Sequence, residues 1–574
     1  MRMAVADFET ITRADDCRVW AWAVAQVAKH PDTAYGNDIH SFLTYVATAP
    51  KRLYWFHNLA FDGKFIVDAL FRLGYEWTHD KPGPGEFSTL VSGKGKFYQL
   101  EIGFYNGAVI RFQDSLKVFP MSVRRLAKAF DLPEEKGELD YEEWREVGHE
   151  LTGEERDYIR RDVEIVSCAL GINAEQGLTK MTIGSNAFGF FKKQMGTKAF
   201  EHYFPLLTPD EDSEIRKSYR GGFTFVNPKY AGVDVYGGVS VDYNSMYPSM
   251  LISKWYPVGA AHMFYGRYES RFAEPDAGPV PAWDEEKDVY VQSLTCSFTL
   301  KPDGVPMVQL RNCGFYGQHE YVRRTVEPVQ LTLTCVDLRL LFDNYDVDVW
   351  SWDGGYWFVT APGSELFGPY VEHWGKIKRE STGPMRQLAK LMLNNIYGKF
   401  ATNPDVTGKR PVMGDDGCVK WELGEHEERD GVYIPVGTFT TAYARDTLIR
   451  AIHANWDRFV YCDTDSMHLV GKYDPAGIPL HDTNLCAWKV EGTFEHARHL
   501  RAKCYIWDLN GKVSVTCAGM PDNVKALCTF DNFHWGLSNV DPVTGRIIEG
   551  AGKLTPVAVP GGVILEPRKY VLHE

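Results

Sequence analysis

Val460-Tyr461-Cys462-Asp463-Thr464-Asp465-Ser466-Met467-His468 sets two aspartates at i and i+2 between β-favouring residues. That pattern predicts a hairpin whose tip presents paired carboxylates. Two carboxylates so close repel unless a cation lies between them. Hard divalent ions such as Mg²⁺ take oxygen ligands and keep positions open for phosphates. Upstream, Val239-Ser240-Val241-Asp242-Tyr243-Asn244-Ser245-Met246-Tyr247-Pro248 reads as a strand that ends on an aspartate and turns. Between them, residues 384–400 form the clearest helical pattern in the chain. Pro384 suits its first turn, and Leu388, Leu391, Met392 and Ile396 give an apolar stripe. Arg386, Lys390, Asn394 and Tyr397 form a second stripe, suited to a triphosphate and a stacked base. Taken alone, that stripe reads better as an exposed face with one half-buried tyrosine.

A second carboxylate set lies near the N-terminus. Asp7-Phe8-Glu9 follows an apolar run, and in a strand both acids share one face. By itself Asp-x-Glu is usually a solvated strand face. His57-Asn58-Leu59-Ala60-Phe61-Asp62 follows the strand-like run Leu53–Phe56, which places Asp62 where a strand gives way to a helix over 62–73. Tyr158 and Asp162 fall at i and i+4 of a helix expected over 154–170. Four carboxylates and a tyrosine fit a two-metal phosphodiester hydrolase.

In order and spacing the second set resembles the three exonuclease motifs of proofreading DNA polymerases. The resemblance implies that Asp7, Glu9, Asp62 and Asp162 hold metals and that Tyr158 orients the attacking water. Lys136 matches a lysine that contacts the scissile phosphate in one branch of the family. The first set resembles motifs A, B and C of family B DNA polymerases. There, Asp242 and Asp465 would hold two Mg²⁺ ions (Mn²⁺ is possible), with Asp463 beside them. Lys378 and Lys390 would bind the triphosphate. Asn394 lies on the same stripe. Tyr247 and Tyr397 would shape the dNTP pocket, Tyr247 excluding a 2′-hydroxyl. Lys503-Cys504-Tyr505 matches the Lys-x-Tyr motif that steadies the primer end. Tyr219-Arg220-Gly221-Gly222 looks like the Tyr-x-Gly-Gly motif that coordinates synthesis with proofreading, its glycines letting backbone approach a DNA strand.

The gaps from motif A to B and from B to C exceed what a bare palm and fingers need. They look like the two insertions of protein-primed polymerases. Resemblance to the small phage polymerases of the phi twenty-nine type runs nearly end to end, including Ala518-Gly519-Met520 and Val559-Pro560-Gly561-Gly562-Val563. It implies α/β and α+β domains: a ribonuclease H-like 3′–5′ exonuclease and a right-hand polymerase. The expected boundaries are exonuclease 1–182, palm 183–253 and 437–517, first insertion 254–365, fingers 366–401, second insertion 402–436 and thumb 518–574. In that group a terminal protein supplies the priming hydroxyl, and the second insertion gives processivity and strand displacement. Thr10, His57, Asn58, Phe65, Ser115 and Leu116 fit the group's single-strand contacts. Expected partners are template–primer DNA, dNTPs and a terminal protein. A monomer in the cytoplasm of a bacterial host, away from membranes, is expected.

Three departures stand out. Met246 replaces the usual Leu, Asn395 replaces Ser on the packed side of the motif B helix, and the segment after Tyr505 is short. Two alternatives stay open: a family B polymerase that starts without a protein primer, and a nuclease with a DNA-binding C-terminal half.

Composition agrees with a large globular enzyme. The chain has 574 residues, 44% of them hydrophobic and 24% charged, which excludes a mainly disordered chain. Lys+Arg 62 against Asp+Glu 76 gives −14. That argues against a sequence-blind basic binder and predicts a basic channel inside an acidic exterior. The 11 cysteines include no Cys-x-x-Cys, so free thiols in a reducing cytoplasm are expected. No apolar run reaches a bilayer's span. An early carboxylate, Asp7, argues against a secretion signal.

Overall fold

The computed structural model describes residues 2–13, 15–28, 32–50, 52–132, 139–140, 143–274, 278–310 and 320–574. Lys136 lies outside the described residues. Three large sheets organise the chain.

The N-terminal sheet has eight strands, in the order Thr33–Gly36, Cys17–Gln26, Arg2–Thr12, Arg52–Phe56, Val109–Asp114, Phe97–Gly103, Glu86–Val91 and Glu76–Trp77. Arg2–Thr12 runs parallel to Arg52–Phe56, which runs parallel to Val109–Asp114. The strand carrying Asp7 and Glu9 therefore lies inside the sheet, with Ala4, Val5 and Ala6 buried. The helix Leu59–Arg72 starts three residues earlier than the apolar spacing alone suggests. Asn58 adopts a left-handed φ of 85° at its N-cap, and Asp62 sits in its first turn. The helix Gly153–Glu175 begins at a capping box between Thr152 and Glu155. It packs on Arg2–Thr12 and Cys17–Gln26.

The second sheet has seven antiparallel strands, in the order Lys512–Cys517, Cys504–Leu509, Trp488–Arg501, Asp234–Tyr243, Ser466–Val470, Phe459–Asp463 and Thr224–Val226. Asp234–Tyr243 carries Asp242 next to the hairpin carrying Asp463 and Asp465, because Asp242 pairs with Ser466. The buried helix Ile434–Ala454 packs against Gly383–Phe400. Gly368–Glu380 and Gly383–Phe400 form a helix pair, tied by the Tyr370 hydroxyl donating to the Met392 carbonyl at 2.9 Å. Thr208 and Glu211 make a second capping box, which starts the helix Pro209–Arg216 in a stretch rich in turn formers.

A four-stranded sheet, Trp255–Phe264, Tyr345–Pro362, Asp288–Leu300 and Val329–Thr334, fills most of the aromatic-rich middle of the chain. Asp405–Met413 and Val419–Glu428 pair as a hairpin, and so do Lys553–Val559 and Gly562–Arg568. The first hairpin rests on the exonuclease side. Ser92 bridges to Gly408, the Phe97 and Trp421 rings meet edge-on at 5.4 Å, and Arg72 donates to the Gly417 carbonyl at 3.0 Å. It also touches the second hairpin. That hairpin docks on Leu59–Arg72, where the Gly561 N–H donates to Asp68 at 3.2 Å. Among the described residues the cysteines are free thiols, and no helix is long and apolar enough to cross a membrane.

Candidate active sites and nucleic-acid interface

The Asp463–Ser466 pair closes a two-residue turn at Thr464-Asp465. Thr464 takes a left-handed φ of 59°, and its N–H donates to the Phe223 carbonyl at 2.7 Å. The Tyr243 N–H donates to the Asp465 carbonyl at 2.6 Å, which locks the end of one strand to the hairpin tip. Asp242, Asp463 and Asp465 are thus gathered from two segments more than 200 positions apart. Burial pushes the Asp465 carboxyl up to about 7, helped by Asp242 and Asp463 and, more weakly, by Glu491. Two lysines answer this charge. Lys503 Nζ lies 2.8 Å from both Asp463 carboxylate oxygens, and Lys489 Nζ lies 3.1 Å from Asp242 Oδ1. Lys503 takes φ 56° in the turn between Trp488–Arg501 and Cys504–Leu509, and its N–H donates to the Tyr461 hydroxyl. Tyr505, on the second of those strands, packs against Tyr461, His468 and His499.

Across the site, the Tyr247 and Tyr397 rings stack with centroids 3.8 Å apart. Lys378 donates to the Ser245 hydroxyl at 3.0 Å. Its ammonium is held below the usual lysine range by burial first and then by Lys390 and Arg386. The two lysines therefore share one electrostatic neighbourhood beside Asp242. Asn394 is exposed on the same helix. Asn395 is half-buried, donates to the Leu391 carbonyl at 2.8 Å and lines the large cleft described below, so it is not sealed in the helix packing.

In the N-terminal unit Glu9, Asp62, Asp162 and Tyr158 are all buried. The Asp62 carboxyl is held well above its ordinary range by burial, then by Asp7, with Glu9 and Asp114 adding to it. His57 Nε2–H donates to the Met121 carbonyl at 2.7 Å, and its Nδ1 shares a hydrogen bond with the Ser115 hydroxyl at 2.9 Å. Asp114 is fully buried. It accepts from the N–H groups of Asn58 (3.0 Å) and Leu116 (2.9 Å) and from Lys117 (2.7 Å). One unforeseen carboxylate thereby orders two of the expected strand-contact residues, Asn58 and Leu116. Thr10 sits at a bulge in the Arg2–Thr12 strand.

Two expectations need correcting. Phe65 is buried, because Gly562 of the C-terminal hairpin lies on its ring; a Cβ there would fall 2.5 Å from it. Phe65 presents no open face to a strand, whereas its half-buried neighbour Phe61 packs on it at 5.5 Å. Gly222 is small for a protein contact: a Cβ there would meet Thr464 Oγ1 at 2.6 Å. Only Gly221 of that pair faces open space.

Residues 48–166 and 142–478 match the family "DNA polymerase type B, organellar and viral". The chain is 41% identical to the DNA polymerase of Bacillus phage Nf and 39% identical to that of Bacillus phage phi29, each over 98% of both chains. It superposes on phi29 DNA polymerase complexed with primer-template DNA and incoming nucleotide substrates with a TM-score of 0.91. That match has 38% identity and covers 100% of both chains. The phi29 enzyme complexed with single-stranded DNA matches at 0.89. The chain belongs to the phi29-type family B DNA polymerases.

It is a DNA-directed DNA polymerase with a 3′–5′ exonuclease domain. Divalent metal use belongs to this family, and the donor set fits it. Among the described residues no three His, Cys, Asp or Glu side chains form a metal cage of their own. Mg²⁺ needs none, because it is held by one or two carboxylates and completed by water and substrate phosphates. The Asp62 and Asp465 carboxyls are raised first by burial and then by neighbouring carboxylates, a cost that a cation at either place would relieve.

Between the two units of this polymerase lies a cleft of ≈ 1390 Å³, bordered by the 405–428 hairpin and the Gly383–Phe400 helix. Lys96, Lys117, Lys399, Lys409, Arg410 and Arg429 line it. Four contributors escaped the sequence reading: Asp114, Arg445, Lys489 and Glu491. Arg445 holds the carbonyls of Arg220 (2.7 Å) and Gly221 (2.8 Å), so it fixes the approach of Tyr219 and Arg220. No spacing rule marks these four, since each acts across a fold-dependent contact.

Proposed function

We propose that this polymerase initiates replication of a linear genome from a terminal protein, extends processively with strand displacement, and proofreads its own product. The observation that carries the polymerisation site is Asp465, held at a hairpin tip between Asp242 and Asp463. Asp242 and Asp465 would hold two Mg²⁺ ions. Such ions activate the primer 3′-hydroxyl and neutralise charge developing on the pyrophosphate. Lys378 and Lys390 bind the triphosphate by charge. Tyr247 and Tyr397, already stacked, would wall the sugar and base, and Tyr247 would exclude a 2′-hydroxyl. Lys503 and Tyr505 steady the primer end. Asp463 holds the Lys503 ammonium in place.

In the exonuclease, Asp7, Glu9, Asp62 and Asp162 would hold the metals and Tyr158 would orient the water. His57, Asn58, Ser115 and Leu116 would grip the frayed strand, with Thr10 at its edge. The Tyr219–Gly222 segment passes the primer between the sites. The 254–365 insertion would engage the terminal protein and DNA. The 402–436 insertion would close over the product. Likeness to the phi29 enzyme and the two extra sheet units support this reading. The work would be done in the cytoplasm of a bacterial host.

A primed single-stranded circle with Mg²⁺ and four dNTPs tests extension. Products many times the circle length, without helper proteins, are expected. Primer shortening without growth would refute the polymerase assignment. A linear template with its terminal protein should start synthesis that the same template alone does not. Equal synthesis in both would favour a polymerase free of protein priming.

A further inference from the structure

The strand beside Asp242 carries an ammonium where a divalent ion is expected. Asp242 and Lys489 face each other in antiparallel register, and Lys489 Nζ lies 3.1 Å from Asp242 Oδ1 and 3.9 Å from Glu491 Oε1. A register slip between Ser240 and Val241 leaves Glu491 as the extra residue, alongside Lys489. Glu491 is fixed there by accepting from the Ser240 hydroxyl at 3.2 Å. The ammonium is thus held by one carboxylate from each of two neighbouring strands. Its side chain keeps about a third of its surface open, at 36%, so it has room to leave. On its other side it acts on Lys378, whose ammonium it repels together with Lys390 and Arg386. Lys489 is therefore paired with the carboxylates and also felt by Lys378.

We infer that Lys489 is a resident counter-cation of the polymerisation site, which a divalent ion must displace from Asp242 in order to bind. This rests on the proposed role of Asp242 and Asp465 as metal ligands. An ammonium is a compact point charge on a flexible stem. It neutralises Asp242 in the metal-free enzyme, lowers the cost of gathering four acids, and competes with the ion by the amount of that stabilisation. A partly exposed ion pair is worth a modest factor, so the competition should shift the metal midpoint by about three-fold. The effect is confined to one site. Lys489 belongs to the seven-stranded sheet, whereas Asp7, Glu9, Asp62 and Asp162 belong to the N-terminal unit.

The test is Mn²⁺ binding to the full-length, DNA-free enzyme, followed by electron paramagnetic resonance. An Asp7→Ala, Glu9→Ala background leaves the polymerisation site to report. Lys489→Met keeps the stem and removes the charge. It should lower the Mn²⁺ midpoint about three-fold, and Lys489→Arg should leave it near the parent value. Lys489→Gln repeats the measurement should the Met variant fold poorly. An unchanged or raised midpoint in the neutral variants would overturn the inference. Asp242→Ala in the same background should abolish the signal. If it does not, the metal assignment itself fails, whatever Lys489 does. With the exonuclease intact, Lys489→Met should reach half-maximal dNTP incorporation at lower Mg²⁺, while its excision of single-stranded DNA keeps the parent's Mg²⁺ dependence. A shift in both activities would also count against the inference.

Discussion

Arg445 grips Asp337 with two nitrogens, at 3.0 and 2.7 Å, and turns the remaining one to the carbonyls of Arg220 and Gly221. Both side chains are buried, at 3% and 0% exposure. Asp337 belongs to the helix Cys335–Asn344 beside the first inserted sheet, and Arg445 to the helix Ile434–Ala454. The pair therefore couples the helix Cys335–Asn344 to the Tyr219–Gly222 segment. Removing one partner strands the other charge, which costs about 3–5 kcal/mol. Asp337→Ala should destabilise the protein by that order in denaturant unfolding and weaken primer binding, because Gly221 loses its anchor. An unchanged midpoint would show that Arg445 finds another acceptor. Asp337→Leu with Arg445→Met should recover most of the stability but not the primer binding.

The two carboxylate sets should fail separately. Asp465→Ala removes the residue at the hairpin tip and should abolish dNTP incorporation while sparing degradation of single-stranded DNA. Asp7→Ala with Glu9→Ala should do the reverse. Each variant is assayed for both reactions under one set of conditions. Loss of both reactions in either variant would mean a folding defect or a misassigned site.

Glu155 links acid stability to the exonuclease domain. Burial alone would raise its carboxyl, but the Arg145 guanidinium, the Thr152 N–H and His149 outweigh it and hold it at about 2. Arg145 Nε is 2.7 Å from one oxygen and His149 Nε2 is 2.8 Å from the other. In the unfolded chain the group titrates near 4.5. Above 4.5 both states are ionised, and the stabilisation is fully present, of order 2–3 kcal/mol. As the pH falls from 4.5 towards 2 the unfolded chain takes up the proton first, and the stabilisation is lost. Glu155→Gln should therefore melt well below the parent at pH 7, and the gap should shrink steadily between pH 5 and 3. A gap independent of pH would place the effect in packing instead of charge.

The sites were more legible in the sequence than their supports. Asp463 and Asp465 stand out because a tight hairpin leaves a short, self-contained signature, whereas Asp7 and Glu9 gain weight only beside Asp62, Tyr158 and Asp162. The capping box at Thr152 and Glu155 explains why the start of one helix was readable to within a residue, although the helix runs on to Glu175, past the expected 170. The companion box at Thr208 and Glu211 was hidden in a stretch rich in turn formers. Lys489 and Arg445 were illegible for a different reason. Each lies opposite its carboxylate through a register or a helix crossing that depends on the whole fold, and neither neighbourhood is local in sequence. Phe65 shows the converse error. It sits in a motif-like position, yet a hairpin almost 500 residues later covers it.

The 405–428 hairpin is held at both ends. One side meets the exonuclease domain through Ser92, Phe97, Arg72 and the His79–Glu427 pair at 2.7 Å. The other side meets the C-terminal hairpin, which itself docks on Asp68. The N-terminal unit, the 405–428 hairpin and the C-terminal hairpin thus form a circuit of contacts, and the first two also border the cleft. Under the proposed function, a duplex held by such a circuit would not leave sideways, and a downstream strand would have to part to enter. Replacing residues 405–428 with a short Gly-Ser link opens the circuit without touching Asp242, Asp463 or Asp465. Gap filling of a few nucleotides on a primed oligonucleotide should persist near the parent rate. On a primed circle the product length should collapse to a single lap or less, and extension through a downstream duplex should stop at the fork. Undiminished rolling-circle synthesis by the deletion variant would show that the circuit is not what retains the DNA. Loss of gap filling as well would mean that the hairpin supports the Gly383–Phe400 helix instead.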